Sequence, residues 1–251
     1  MSKLHSAFIL ALSILPVAPA LQEPPEDDFA WDCPATGYLP LRRDLLVSTE
    51  SLARLLGDPA VTILHVGDES DYARGHLPGA LRLPSGEVPA LSSSMQRVVL
   101  YDAGLGLEAA RAYVLLDQLG RADRVALLDG HGAQWIAEGR PFSLDPGGRI
   151  PSLEAGATPL DEPDASAVIL DARGGEESGA PIAGAVRIPW TENLAGPSSS
   201  RLKSESQLRR LYRALPARPD LEVVVVGREA CLAYVVAKYL GYSVRLPAGG
   251  F

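Results

Sequence analysis

Thiols are the scarcest reactive groups in this chain: Cys33 and Cys231 are the only two cysteines in 251 residues. A cysteine acts as a nucleophile only as its thiolate, so its surroundings decide whether it reacts. Cys231 lies near the start of the last helical stretch, where the helix dipole would lower its pKa and favour the thiolate. In an oxidising compartment the same thiol could pair with Cys33 as a disulfide, or serve as a small buried apolar side chain. Just before it, Gly227-Arg228-Glu229-Ala230 joins an apolar run to that helix. Asp171 and Arg173 stand at the end of another apolar run, spaced for an ion pair that either shapes a pocket or is only structural. His65, His76 and His131 have no neighbouring Cys or His at ligand spacing, so no metal or other cofactor is expected. The chain shows neither a Gly-rich phosphate loop nor a Ser-His-Asp signature.

These residues are carried by a chain that repeats itself. Ile63-Leu64-His65-Val66-Gly67 followed by Gly79-Ala80-Leu81-Arg82-Leu83-Pro84 recurs as Ile169-Leu170-Asp171-Ala172-Arg173 followed by Gly184-Ala185-Val186-Arg187-Ile188-Pro189. Val98 to Tyr101 and Val223 to Val226 are the short continuous apolar runs of parallel strands buried on both faces. Each precedes a helix: Ala112-Tyr113-Val114 with Leu119-Gly120 matches Ala233-Tyr234-Val235 with Leu240-Gly241. Gly120 and Gly241 can end those helices in the left-handed conformation. Further helices are expected from Ser48 through Leu56 and from Lys203 to Leu215, the latter with Leu208, Leu211, Tyr212 and Leu215 on one face. Strands alternating with helices imply an α/β fold, with right-handed crossovers and a mainly parallel sheet in each half.

Composition narrows the partners. A formal charge of −8 without a basic patch argues against nucleic acid or an anionic membrane surface. Residues 1–20 read as a secretory signal peptide: Lys3, an apolar run from Ala7 to Val17, then Ala18-Pro19-Ala20 as a cleavage site. No later stretch is long and apolar enough for a membrane span. The expected organisation is a leader at 1–20, an N-terminal segment at 21–43, a first domain at 44–142, a Pro- and Gly-rich linker at 143–163 and a second domain at 164–251.

Taken in order, Leu46-Val47-Ser48-Thr49-Glu50, Tyr72-Ala73-Arg74-Gly75-His76-Leu77-Pro78-Gly79-Ala80 and Leu128-Asp129-Gly130 with Trp135 resemble the first domain of a tandem rhodanese, a thiosulfate or 3-mercaptopyruvate sulfurtransferase. Asp171-Ala172-Arg173, Ile188-Pro189-Trp190, Thr191-Glu192-Asn193-Leu194 and Leu202-Lys203-Ser204 are similar to the second domain. The resemblance implies two tandem rhodanese-like domains, with any active site in the second domain and facing the first. In active members a cysteine follows the central strand and a six-residue loop rings its sulfur with backbone N–H groups, which stabilise thiolate and anionic donor alike.

By that alignment the cysteine position holds Asp102 in the first half and Gly227 in the second, and the second loop is four residues shorter. Neither side chain carries a persulfide. Gly227-Arg228-Glu229-Ala230 is expected to be a degenerate active-site loop, too short for a ring of amides, with Glu229 adding negative charge that Arg228 partly offsets. Cys231 aligns with Ala110, inside the helix and beyond the loop. A related phosphatase or arsenate reductase would need a longer loop. The resemblance with these departures implies a catalytically silent module that binds a small anion or an envelope protein, and the leader at 1–20 makes it an exported, periplasmic one. The competing expectation is a divergent sulfurtransferase forming a persulfide on Cys231.

Overall fold

The computed structural model describes residues 38–153, 166–175 and 179–247. All of them fall within one compact unit, Pro34–Phe251. The leader and Cys33 lie outside the described residues.

In the first half β1 (Leu46–Ser48), α1 (Thr49–Arg54), β2 (Val61–Val66), α2 (Glu69–Arg74), β3 (Leu81–Leu83) and β4 (Val88–Pro89) are followed by β5 (Arg97–Tyr101), α3 (Leu107–Gln118), β6 (Val125–Asp129), α4 (His131–Ala137), β7 (Gly148–Arg149) and β8 (Ser152–Leu153). The second half has β9 (Val168–Asp171), β10 (Val186–Arg187), α5 (Glu205–Leu211), β11 (Glu222–Val226), α6 (Ala230–Tyr239) and β12 (Ser243–Arg245). Every strand pair in the two main sheets is parallel. Their orders are β1-β6-β5-β2-β3-β7 and β10-β9-β11-β12. The core order β3-β2-β5-β6 repeats as β10-β9-β11-β12, the α/β repeat expected from the sequence.

Alternation along the strands explains the layers. Val98 and Leu100 of β5 point into one core with α3, while Val99 and Tyr101 point into another with Leu52 of α1 and Trp135 of α4. A continuous apolar run is thus what a parallel strand covered on both sides requires. The larger core continues across the molecule, taking in Val223 and Val225 of β11 and most of α6.

Helix ends follow the local chemistry. Ser48 Oγ accepts from the Ser51 amide 3.1 Å away and caps α1. Ser204 caps α5, and Gln207 Oε1 accepts a 2.9 Å bond from the Ser204 amide. That cap starts α5 two residues later than the expected Lys203, and the helix stops at Leu211, although Leu208, Tyr212 and Leu215 face the core as expected. Gly120 and Gly241 have φ of +65° and +92°.

The segment expected as a linker is structured in its first part. Ser143 exchanges backbone bonds with His76, Gly148–Arg149 add the edge strand β7, and Ser152–Leu153 pair antiparallel with β4. These residues lack apolar periodicity because main-chain bonds on a sheet edge hold them. Residues 154–163 lie outside the described residues.

The halves meet along α3 and α6. Asp117 accepts a 2.6 Å bond from the Tyr234 hydroxyl and forms an ion pair with Lys238. At the end of β6, Asp129 Oδ1 accepts from the Leu202 amide at 2.9 Å and the Gly130 carbonyl accepts from Ser200 Oγ at 2.6 Å. No helix among the described residues is long and apolar enough to cross a membrane.

Candidate functional site

Strand register places the two loops in correspondence. Tyr101 pairs with His65, and Val226 pairs with Asp171; His65 pairs in turn with Arg82, and Asp171 with Arg187. Asp102 and Gly227 are therefore equivalent, each the first residue after the central strand.

In the second half the chain turns at Gly227 with φ of +137°, a region that favours glycine. A Cβ at this position would lie 3.0 Å from the Arg173 amide nitrogen and 3.2 Å from the Ala172 carbonyl carbon, both backbone atoms. The bend closes on itself when the Ala230 amide bonds the Gly227 carbonyl at 3.3 Å, and α6 starts at Ala230. Three positions separate strand from helix, against five between Tyr101 and Leu107. A side chain at Gly227 would therefore press on the backbone that follows β9, closer than ordinary van der Waals contact.

Cys231 does not enter this turn. Its thiol is free and 2% exposed, with Glu108 and Arg111 of α3 among its charged neighbours. Burial pushes its pKa up to about 12, overriding the helix dipole that would lower it. Of the roles the sequence leaves open for Cys231, the structure favours a protonated, buried thiol over an activated thiolate. The Cys33–Cys231 pairing involves a residue outside the described set.

Asp171 and Arg173 do come together. The guanidinium donates from Nε to Oδ1 at 2.8 Å and from Nη2 to Oδ2 at 2.9 Å, and Arg187 adds a bond to Oδ2 at 2.9 Å. These partners, Arg173 foremost, hold the Asp171 carboxyl down at about 2 despite its burial. Both arginines reach toward the strand end that blocks Gly227, so the cluster braces that wall.

Sequence reasoning missed the first-half loop. There the Asp102 carboxylate, 5% exposed, accepts four backbone bonds: Gly104 at 2.8 Å and Gly106 at 3.0 Å on Oδ1, Glu108 at 3.1 Å and Ala109 at 3.2 Å on Oδ2. This is the collar of amides at a helix N-terminus that the second half lacks room for. Its signal was the spacing Asp-Ala-Gly-Leu-Gly, with glycines at two donor positions; Gly106 has φ of +89° and packs under the His131 ring.

The remaining histidines sit in this half. His76 stacks on Tyr72 at 3.8 Å and its Nδ1 donates to the Tyr72 carbonyl at 3.1 Å, a structural role. His65, 1% exposed, lies edge-on to Tyr72 and Tyr101, and burial lowers its pKa. Among the described residues no group of His, Cys, Asp or Glu could hold a metal ion.

Comparison with known proteins finds relatives of the same fold. Residues 48–138 match the rhodanese-like domain family. The thiosulfate sulfurtransferase of Azotobacter vinelandii is 28% identical, over 79% of this chain and 89% of that protein. A probable 3-mercaptopyruvate sulfurtransferase of Pseudomonas aeruginosa is 34% identical, over 62% of this chain and 63% of its own. Among solved structures, a 3-mercaptopyruvate sulfotransferase of Escherichia coli superposes with a TM-score of 0.58 at 21% identity, covering 82% of this chain and 98% of that one.

Proposed function

We propose that this chain, which is similar to rhodanese-like thiosulfate and 3-mercaptopyruvate sulfurtransferases, is a catalytically silent tandem member, exported to the periplasm, that works as a binding or scaffold module for a small anion or an envelope protein. One observation carries the reading: a Cβ at Gly227 would press on the backbone of Ala172 and Arg173. Sulfur transfer needs a thiolate with open space for the donor, and this turn supplies neither.

The test is an assay of the purified chain with thiosulfate or 3-mercaptopyruvate as donor and cyanide or a small thiol as acceptor. The expected result is turnover no higher than that of a variant lacking both cysteines. Transfer at the rates of its relatives, abolished by Cys231→Ala, would overturn the reading and assign the persulfide to Cys231. Export is checked by fractionating cells that make the full chain, with loss of residues 1–20 read by intact mass.

A further inference from the structure

The edge strand β7 has no counterpart among the described residues of the second half, and it closes one side of a cleft. Register sets Arg82 of β3 beside His65 of β2 and, on the other side, Arg149 of β7, so the three side chains leave the same face of the sheet. In the second half the equivalent arginine, Arg187, stands beside Asp171 and bonds its carboxylate at 2.9 Å. Arg82 lacks such a partner, because its neighbour is a histidine that burial keeps neutral. Its side chain is 17% exposed, and its ion pair among the described residues is a 3.5 Å contact with Glu69, itself 85% exposed and farther off than a good hydrogen bond. Arg149 is served by Glu87, which accepts two bonds at 2.8 and 2.7 Å. A guanidinium so far withdrawn from water calls for an acceptor, and a carboxylate matches its fork best.

The cleft over Arg82 measures about 290 Å³ and lies between α2 and the chain from Leu144 to Arg149. That is at the small end for ligand pockets, which run from about 300 to 1,000 Å³. Tyr72, Ala73, Leu144 and Pro146 give it apolar surface, while Glu69 and Asp145 bring carboxylates to it. Gly147, at φ of +54°, lies so close to Tyr72 that a Cβ would overlap the phenol oxygen, and the hydroxyl is committed to the Ala80 carbonyl at 2.6 Å. That wall is fixed.

We propose that this cleft binds a free α-amino acid, its carboxylate in the fork of Arg82, its ammonium on Glu69 and an apolar side chain against Ala73 and Leu144. The opposite charges of Arg82 and Glu69 stand a few ångströms apart, as do the two charges of an α-amino acid. A dianion meets the acidic side chains of Glu69 and Asp145, and a simple amine leaves Arg82 without its acceptor, so the lining selects both charges on one small molecule. The site lies at the β7 edge and is independent of the turn at Gly227, so its failure and a failure of the silent-turn reading are told apart by separate assays.

Isothermal titration calorimetry on the full chain tests the proposal with L-leucine as probe. The controls are 4-methylpentanoate, the same skeleton without the ammonium, and 3-methylbutylamine, the same skeleton without the carboxylate. L-leucine should bind saturably with a Kd of about 0.1–1 mM, and each control at least about tenfold more weakly. Glu69→Gln, at an exposed position, should weaken L-leucine about fivefold and leave 4-methylpentanoate unchanged, whereas Arg82→Gln should weaken L-leucine by more than about tenfold. If Arg82→Gln does not fold, NMR of the wild-type chain decides: L-leucine should shift the Gly147 and Gly148 amides and the Arg82 Nε–H saturably, leaving the Gly227 and Cys231 amides in place. No saturable binding of L-leucine, 4-methylpentanoate binding as tightly, unchanged affinity in a folded Arg82→Gln, or shifts confined to residues outside the cleft would each overturn the proposal.

Discussion

The loops after Val226 and after Tyr101 begin from equivalent strand ends and arrive at opposite solutions. The first keeps five positions between strand and helix, and its amides converge on a carboxylate. The second has three, and its glycine folds tightly onto the adjoining strand end. The difference teaches that the ring of donors depends on loop length before it depends on residue type. A side chain of the wrong chemistry can sit in a complete collar, whereas no side chain restores one that lacks the backbone to form it.

The largest effect should come from the first loop. Removing the carboxylate in Asp102→Ala leaves four converging amides without their acceptor and should cost about 3–5 kcal/mol, measured by urea unfolding. A change below about 1 kcal/mol would mean water replaces the carboxylate freely and would erase the contrast between the loops. Gly227→Cys comes next. It should lose about 2–3 kcal/mol from the strained φ and the backbone contact, and should gain no sulfur transfer. A stable, active Gly227→Cys would show that the second loop lacks only its thiol.

Acid should separate the halves. Burial lowers the His65 pKa below its usual 6.5, so the unfolded chain takes up a proton that the folded chain refuses, and stability declines as pH falls below about 6.5. Asp171, held at about 2 against 3.8, contributes stability that is complete above pH 3.8 and lost as pH falls toward 2. Asp171→Asn should lower stability by about 2 kcal/mol at neutral pH and flatten the lower limb, while His65→Gln should flatten the upper one. A pH–stability curve whose limbs ignore both substitutions would remove this distinction.

The smallest effects belong to the seam. Asp117 and Lys238 occupy equivalent positions of α3 and α6, with opposite charge, and Tyr234 shares the carboxylate. Either Asp117→Lys or Lys238→Asp should cost about 1 kcal/mol, and the double exchange should recover part of it in a double-mutant cycle. Cys231, on the same helix, should resist thiol reagents until the protein unfolds, because its thiol is buried and protonated.

Much of the architecture was legible. The repeated strand segments, the glycines after the two long helices and the Tyr113/Tyr234 correspondence gave two α/β halves, because apolar runs and helix stops are local signals. Residues 143–153 were not legible, since edge pairing leaves no pattern in side chains. The Asp102 collar was partly so: its length and glycines are visible, but four amides converging on one carboxylate is a matter of angles. For Cys231 the sequence left an activated thiolate, a disulfide and a buried apolar side chain open, because the dipole argument is local and burial is not.

By itself the sequence determined that Gly227 brings no nucleophile, that Asp102 brings a carboxylate, and that the stretch from Gly227 to Leu240 is four residues shorter than that from Asp102 to Leu119; these are facts of covalent structure and chain length. Only the tertiary structure decided that Gly227 lies against Ala172 and Arg173, that Asp102 is held by its own loop, and that Cys231 is shut among apolar side chains. Each of those depends on strands and helices distant in the chain being packed within a few ångströms, where dielectric and backbone approach override what the neighbouring residues alone would give.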